Sequence, residues 1–339
     1  MNPDISIVIP TYNRSAILKH VVDSVLAQTV RVARVIVVDD GSTDDTAEMM
    51  DRLITSVADW HERVRYFYQT NQGQSAAINN GLAKVESEWL GFTGQDDPWL
   101  PWKLEWQFRA LDKFKECDLC FTDAWFMNNP HMKQTLFQLY GGDFEGTLGV
   151  VSNPVKMLVG KHPIWMQTVI ARAELVHRAG NFDPYLRYSE DHDILFRMAL
   201  SAKFCYVNMP MVMIDRSPAD IRHLGASRDW HKEEFCLRMD QYRFEKQLRL
   251  GAGLDPEILQ LIRANLRTIH SAWANWYLAQ EQYENATKSL SAAVQYGRTP
   301  NLVVKQVLTR LFPQLAKTVL TLRDWKAAVR YDRVSWEAK

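Results

Sequence analysis

The chain is poor in cysteine, and that narrows its chemistry at once. Cys117, Cys120, Cys205 and Cys236 are the four in 339 residues. Cys117-Asp118-Leu119-Cys120 has the spacing of half a zinc or redox site, yet no second pair and no histidine pair at zinc-finger spacing accompanies it. These two thiols are expected to be buried or half-buried, where a helix gives way to a strand. So few cysteines, with no signal-peptide pattern at Met1-Asn2-Pro3-Asp4, point to a reducing cytoplasm. Long apolar runs are also missing. No stretch approaches 18 uninterrupted apolar residues, so no transmembrane helix is expected, and a membrane-bound partner would be met from outside the bilayer, at its inner face. Nor is either charge in excess. Lys+Arg and Asp+Glu number 40 each, which leaves no polyanion-binding bias and argues against nucleic acid as a partner.

What is present reads as a folded globular chain. Hydrophobic residues make up 47% and charged residues 24%, and the length suits one large domain with an appendage. Over the first 125 residues, short apolar runs alternate with helical spacing. Ile5–Ile9 stops at Pro10 and Val35–Val38 stops at Asp39-Asp40-Gly41; Val64–Tyr68, Trp89–Thr93 and a run near Leu119–Ala124 follow. Between them, Ser15–Gln28, a stretch from near Thr43, Ser75–Lys84 and Pro101–Lys115 read as helices. This alternation predicts an α/β domain, doubly wound around a mostly parallel sheet, with ligands beyond the carboxyl ends of the strands. A helix from Glu190 and a strand at Phe204–Val207 continue the pattern. From Asp229 long helical patterns take over. Ala272–Tyr296 resembles one tetratricopeptide-type helix pair, without the about three repeats that an array needs. The expected division is an α/β domain over 1–228, with halves at about 1–125 and 126–228, and an α-helical region over 229–339.

Three of the strand ends carry polar residues: Thr11-Tyr12-Asn13, Asp39-Asp40 and Gln95-Asp96-Asp97. A carboxylate in such a place can accept hydrogen bonds from a base or ribose, and a tyrosine offers its face to a planar base. Ser6-Ile7-Val8-Ile9-Pro10-Thr11-Tyr12-Asn13-Arg14, then Val37-Val38-Asp39-Asp40-Gly41-Ser42, then Asn71-Gln72-Gly73-Gln74-Ser75 leading to Asn79-Asn80-Gly81, resemble the nucleotide-binding half of glycosyltransferase family 2. The resemblance spans roughly residues 4–216 and implies the Rossmann-like GT-A fold. It implies that Pro10, Thr11 and Tyr12 line the nucleotide, that Asp40 reads the base edge, and that Asp39 serves the ribose or the fold. It places Asn71, Gly73 and Ser75 near the donor sugar and diphosphate. Gly73 would permit a tight turn, and Ser75 would cap the next helix so that its N-terminus faces the phosphates.

Gly94-Gln95-Asp96-Asp97-Pro98-Trp99 matches the frame of that family's DxD segment, with glycine where the first aspartate usually stands. By this resemblance Asp97 is a ligand of Mn²⁺ or Mg²⁺, and Asp96 contacts ribose or a metal-bound water; adjacent carboxylates suit a hard divalent cation shared with phosphate oxygens. The last element, Gly180-Asn181-Phe182-Asp183-Pro184 with Ser189-Glu190-Asp191-His192-Asp193 and Arg197, resembles the segment carrying the catalytic base, here Asp191. Ser189 would cap that helix, with Glu190, Asp191 and Asp193 in its first turn. Arg216 and His223 fall where the family has a basic or histidine-containing lid over the diphosphate; His223 is the second candidate metal ligand. Trp165 and Gln167 fall where an acceptor pocket would lie. The implied activity is inverting transfer from a nucleotide-sugar, most often a UDP-sugar, to a saccharide or lipid-linked acceptor in cell-surface polysaccharide or glycoconjugate synthesis. Two rivals are a nucleotidyltransferase, against which the absence of a Gly-rich triphosphate loop at Thr11–Arg14 counts, and a degenerate domain serving as a scaffold. Residues 302–339 hold eight Lys/Arg against three Asp/Glu, so this end could either lie on an anionic membrane or pack on the body.

Overall fold

The computed structural model describes residues 3–129, 132–141, 144–216 and 233–318. The chain forms two compact units, Met1–Arg228 and Asp229–Lys339. In the first unit the strands are β1 (Ile5–Thr11), β2 (Arg34–Asp39), β3 (Val64–Tyr68), β4 (Trp89–Phe92), β5 (Cys117–Met127), β6 (Leu148–Val150), β7 (Val169–Arg172) and β8 (Lys203–Asp215). They make one sheet in the order β3-β2-β1-β4-β7-β5-β8-β6. β1 lies parallel to β2 and β4, β2 to β3, and β5 to β8, whereas β7 opposes both β4 and β5 and β6 opposes β8. The sheet is thus mostly parallel, with its apolar strands buried on both faces: Ile7 and Ile9 on one face of β1 and Val8 on the other, and Val37 and Val38 on the two faces of β2, are wholly inaccessible to water.

Helices α1 (Ser15–Leu26), α2 (Thr46–Ser56), α3 (Ala58–Arg63), α4 (Gln74–Leu82) and α5 (Lys103–Lys113) fill the early connections. Leu18, Val21, Val22 and Val25 turn one face of α1 into the core, as their 3–4 residue spacing dictates. α5 is anchored by a buried lysine. Lys103 Nζ donates to Gln107 Oε1 at 2.9 Å and sits 3.7 Å from the centre of the Trp99 ring, and Gln107 Nε2 donates to the carbonyls of Cys120 and Thr168. Burial pushes the Lys103 ammonium well below its ordinary pKa. Cys117, Cys120 and Cys205 are buried in β5 and β8.

Two boundaries differ from the sequence reading. α2 begins at Thr46 rather than near Thr43, because Asp44 is spent on the turn: its Oδ1 accepts the Thr46 N–H at 3.1 Å and its Oδ2 accepts the Ser15 N–H at 3.3 Å. β8 runs to Asp215 instead of stopping at Val207. Pro210 interrupts the apolar pattern there, and it sits at a register shift opposite Asp123, where a bulge tolerates a residue without an N–H. The lengthened β5–β8 pair carries Met127 and Asp215 to the site side of the sheet. Further on are α6 (Leu136–Tyr140), α7 (Pro154–Gly160), α8 (Ala173–Arg178) and α9 (Glu190–Ala199).

The second unit is helical: α10 (Glu233–Leu250), α11 (Pro256–Ala279), α12 (Tyr283–Gln295) and α13 (Pro300–Leu311). Pro256 follows the cap Asp255, and Pro300 follows the cap Thr299, a start that sets φ at the first helical position. Ala274, Leu290, Ala293 and Leu302 form one small core, and Leu278, Ala286 and Ala316 a second. Among the described residues no helix is long and apolar enough to cross a membrane.

Candidate active site

The ends of β1, β2 and β4 are tied together by side chains. Gln95, three residues past β4, accepts the Thr11 hydroxyl at 2.8 Å and the Tyr12 N–H at 2.7 Å on one oxygen. Asn13 adopts φ 52 and accepts the Thr43 N–H at 2.7 Å, while its own N–H donates to Ser42 Oγ at 2.8 Å. Asp39 is fully buried and structural. It accepts the Ser42 N–H at 2.7 Å and the Tyr66 hydroxyl at 2.6 Å; burial first, and this carboxylate second, push the Tyr66 hydroxyl far up.

Asp40 organises the loop that follows β3. Its carboxylate accepts the Gln69 amide and the N–H groups of Gln72 and Gly73, each at 2.8 Å, and its carbonyl accepts the Asn71 amide at 2.8 Å. Three of about four acceptor sites on the carboxylate are therefore in use, which leaves one for a ligand. Pro10, Thr11 and Tyr12 stand at the end of β1 beside this loop, bonded through Asp40 N–H to Thr11 carbonyl at 2.8 Å.

Past β4, the turn 94–97 brings two carboxylates together. Asp97 is buried; its Oδ1 accepts the Asp215 N–H from the end of β8 at 3.1 Å, and its carbonyl accepts the Thr93 hydroxyl at 2.8 Å. Burial, then the Asp96 charge, push the Asp97 carboxyl well above its usual range, with Arg216 working the other way. Asp96 is raised mainly by burial, against the pull of Arg14 and Arg216. Gly94 leaves no room for a side chain here. A Cβ built on it would lie 2.6 Å from Asp97 Oδ2 and 3.1 Å from Asp96 Oδ1. Arg216 follows β8, and its guanidinium carbon sits 4.6 Å from the centre of the Trp165 ring, whose edges meet Phe126 and Tyr140 at 5.6 and 5.9 Å. One face of Trp165 thus holds Arg216. His223 lies outside the described residues.

The start of α4 is capped differently from the expectation. Gly73, at φ 93, is the cap residue, so no side chain caps α4. Ser75 sits inside the helix, buried, and its hydroxyl donates to the Leu186 carbonyl at 3.0 Å; this proton is committed to the protein rather than to a phosphate. Asn79 exchanges two hydrogen bonds with the backbone of Phe182, and Gln74 Nε2 donates to Glu190 Oε1 at 3.1 Å. Together these bonds fasten α4 to the segment that leads into α9.

α9 presents Glu190, Asp191 and Asp193 in its first turn, where its N-terminal dipole favours them. Ser189 is the cap residue, at φ 59, but its hydroxyl makes no capping bond. Asp193 is buried and takes Arg197 Nε and Nη2 at 2.9 and 2.7 Å, and Arg197 also donates to the Asn181 carbonyl at 2.6 Å. This pair closes the Gly180–Asp183 turn against the helix. Asp191 is half-buried; its Oδ1 accepts the His192 N–H at 2.8 Å and lies 3.9 Å from His192 Nε2, and the His192 ring stacks on His162 at 3.9 Å. Burial, and then Asp191, push Glu190 up to about 8.

Residues 6–166 match the model of the family described as glycosyl transferase family 2. This part of the chain belongs to glycosyltransferase family 2. An uncharacterized glycosyltransferase of Rickettsia typhi is 28% identical over 197 residues, which cover 58% of each protein; the chain thus spans little more than half of that relative. A Campylobacter jejuni GalNAc(5)-diNAcBac-PP-undecaprenol beta-1,3-glucosyltransferase is 33% identical over 97 residues, 28% of this chain and 30% of that one. Among solved structures, S. aureus TarS 1-349 in complex with UDP-GlcNAc superposes with a TM-score of 0.69 at 16% identity, covering 96% of this chain and 92% of that one. The mannosyltransferase PcManGT from Pyrobaculum calidifontis, in complex with GDP-Man and Mn²⁺, gives 0.53 at 18% identity, covering 100% and 89%. These structural likenesses establish the GT-A fold.

A divalent cation, as the family resemblance implies, finds part of a ligand set here. Among the described residues no three His, Cys, Asp or Glu side chains converge on one point. Asp96 and Asp97 supply adjacent hard oxygens at a strand end, a donor set that fits an ion drawing its remaining ligands from phosphate and water. The family 2 domain also uses residues to which sequence reasoning gave no role. Gln95 and Asn13 join strand ends; Arg14 and Asp215 set the charge around Asp96 and Asp97. Arg14 and Gln95 lay within the quoted motifs, but their partners are distant in sequence.

Proposed function

We propose that the chain is an inverting glycosyltransferase that takes a sugar from a nucleoside-diphosphate donor and gives it to a hydroxyl group. The observation that carries this reading is the fastening of α4 to the 182–190 segment. It holds Asp191 on a helix bolted to the same loop that Asp40 organises. Tyr12 and Asp40, with Pro10 and Thr11, form the base end of the site, and Asn71 and Gly73 border the donor side. Arg216, seated on Trp165, offers its charge to the diphosphate. Asp97 and Asp96 would hold the cation, which when bound neutralises charge on the departing nucleoside diphosphate.

Asp191 accepts the proton of the acceptor hydroxyl as that oxygen attacks the anomeric carbon. The bond from this carbon to the diphosphate oxygen breaks, and its electron pair leaves with the nucleotide. One displacement of this kind inverts the anomeric centre. A UDP-sugar is the donor favoured by the TarS likeness, and a saccharide or lipid-linked acceptor by the name of the Campylobacter relative. The test is a thermal-shift panel of nucleoside diphosphates with and without Mn²⁺. The reading expects one base to raise Tm, more so with metal, and it fails if no nucleotide shifts Tm under either condition.

A further inference from the structure

The last described helix carries its apolar residues on the wrong side. On α13 the side that faces the unit's core holds Leu302, Lys305 and Thr309, two of them polar. The opposite side holds Val303, Val304, Val307 and Leu311, exposed by 39, 57, 48 and 61%. The spacing of Val304, Val307 and Leu311 by three and four residues places them along one stripe, and exposed Phe312 and Leu315 follow the end of the helix. A helix of a soluble unit normally does the reverse.

The surrounding charge identifies a partner for this stripe. From Arg298 to Thr318 the sequence contains Arg298, Lys305, Arg310 and Lys317 and no acidic residue. Lys305 is buried and Lys317 pairs with Glu281 at 2.7 Å, so Arg298 and Arg310 are the outward cations. The following 21 residues add Arg323, Lys326, Arg330, Arg333 and Lys339 against Asp324, Asp332 and Glu337, with Trp325 and Trp336 among them. The whole chain has no net charge, so this end is set apart electrostatically. An apolar stripe with basic flanks is what an interfacial helix presents to an anionic bilayer. A second copy fits less well. A helix of 12 residues is about 18 Å long, and a single stripe of that length falls short of the roughly 800 Å² per partner of a standard interface.

We propose that the outer face of α13, through Val304, Val307 and Leu311, docks the second unit on an anionic lipid surface. This inference stands apart from the transferase reading, because it rests on a face of the helical unit alone. The test is flotation of the full-length chain with vesicles of phosphatidylcholine plus phosphatidylglycerol, or of phosphatidylcholine alone, in parallel with the double variant Val304→Asn, Leu311→Asn. Both substitutions are neutral and exposed, and circular dichroism checks that the helices persist. The wild type is expected to float with the anionic vesicles and the variant to bind at least tenfold less, with unchanged nucleotide affinity. Three results would overturn the proposal: a wild type that floats with neither vesicle, equal flotation with both, or a dimer in light scattering that the variant dissolves without any vesicle binding.

Discussion

Asn79 and Phe182 are joined twice: Asn79 Nδ2 donates to the Phe182 backbone carbonyl at 2.8 Å, and the Phe182 N–H donates to Asn79 Oδ1 at 2.9 Å. The pair is part-buried, so truncation leaves two backbone groups without partners. Asn79→Ala is expected to cost roughly 2–3 kcal/mol of stability and to lower turnover by loosening the segment before Asp191. Urea denaturation and steady-state kinetics check both effects; a variant as stable as the wild type would show that the bolt carries no weight.

Gln95 does for β1 and β4 what Asn79 does for α4. Its side-chain oxygen holds Thr11 and Tyr12, both at the base end of the site. Gln95→Leu is expected to weaken nucleoside diphosphate binding by about tenfold, the worth of one hydrogen bond of about 1.4 kcal/mol. Isothermal titration measures this directly, and unchanged affinity would remove Gln95 from the site.

Gly94 departs from the usual aspartate, and restoring that residue should do harm. Any Cβ at 94 meets Asp97 Oδ2 at 2.6 Å, and Asp97 is buried with Asp215 holding its other oxygen. Gly94→Ala and Gly94→Asp are both expected to lower activity at least tenfold by displacing Asp97, an amount equal to about 1.4 kcal/mol in the barrier. Higher activity in Gly94→Asp would mean that the acidic position is simply missing here.

Glu190 gives a pH dependence. Burial, then the Asp191 charge, push its carboxyl up to about 8 from the ordinary 4.5. Between these values the folded chain keeps a proton that the unfolded chain has released, so this group's contribution to stability is complete below 4.5 and is lost as pH rises to about 8. Glu190→Gln is expected to match the wild type at pH 4 and to exceed it at pH 9. Urea midpoints across this range test it, and parallel curves for the two proteins would contradict it.

Much of the fold was legible because buried parallel strands leave a plain trace. Val64–Tyr68 is read with the limits it has in the structure, and Ile5–Ile9 and Val35–Val38 lie within β1 and β2. The antiparallel strands were harder to see. β6 has three residues and β7 four, too short for a period to register, and Pro210 masked the true length of β8. In the site, the carboxylates stood out because acidic residues at strand ends are conspicuous. Their supports did not. Gln95 and Thr11 are 84 residues apart, Asn79 and Phe182 are 103 apart, and Asp97 meets Asp215 across 118. No local spacing encodes such pairings. Ser75 misled for a related reason. A serine near a helix start ordinarily caps it, but Gly73 takes that position and the Ser75 hydroxyl turns to Leu186.

The central claim is that Asp191 deprotonates an acceptor while the neighbouring loops hold a nucleotide-sugar. Release of UDP from a panel of UDP-sugars with Mn²⁺, by the wild type and by Asp191→Asn, tests it most directly. The account predicts release by the wild type, a loss of about 10²-fold or more in the variant, and unchanged UDP affinity in both. Equal rates in the two proteins, or no release by the wild type from any donor, would contradict it.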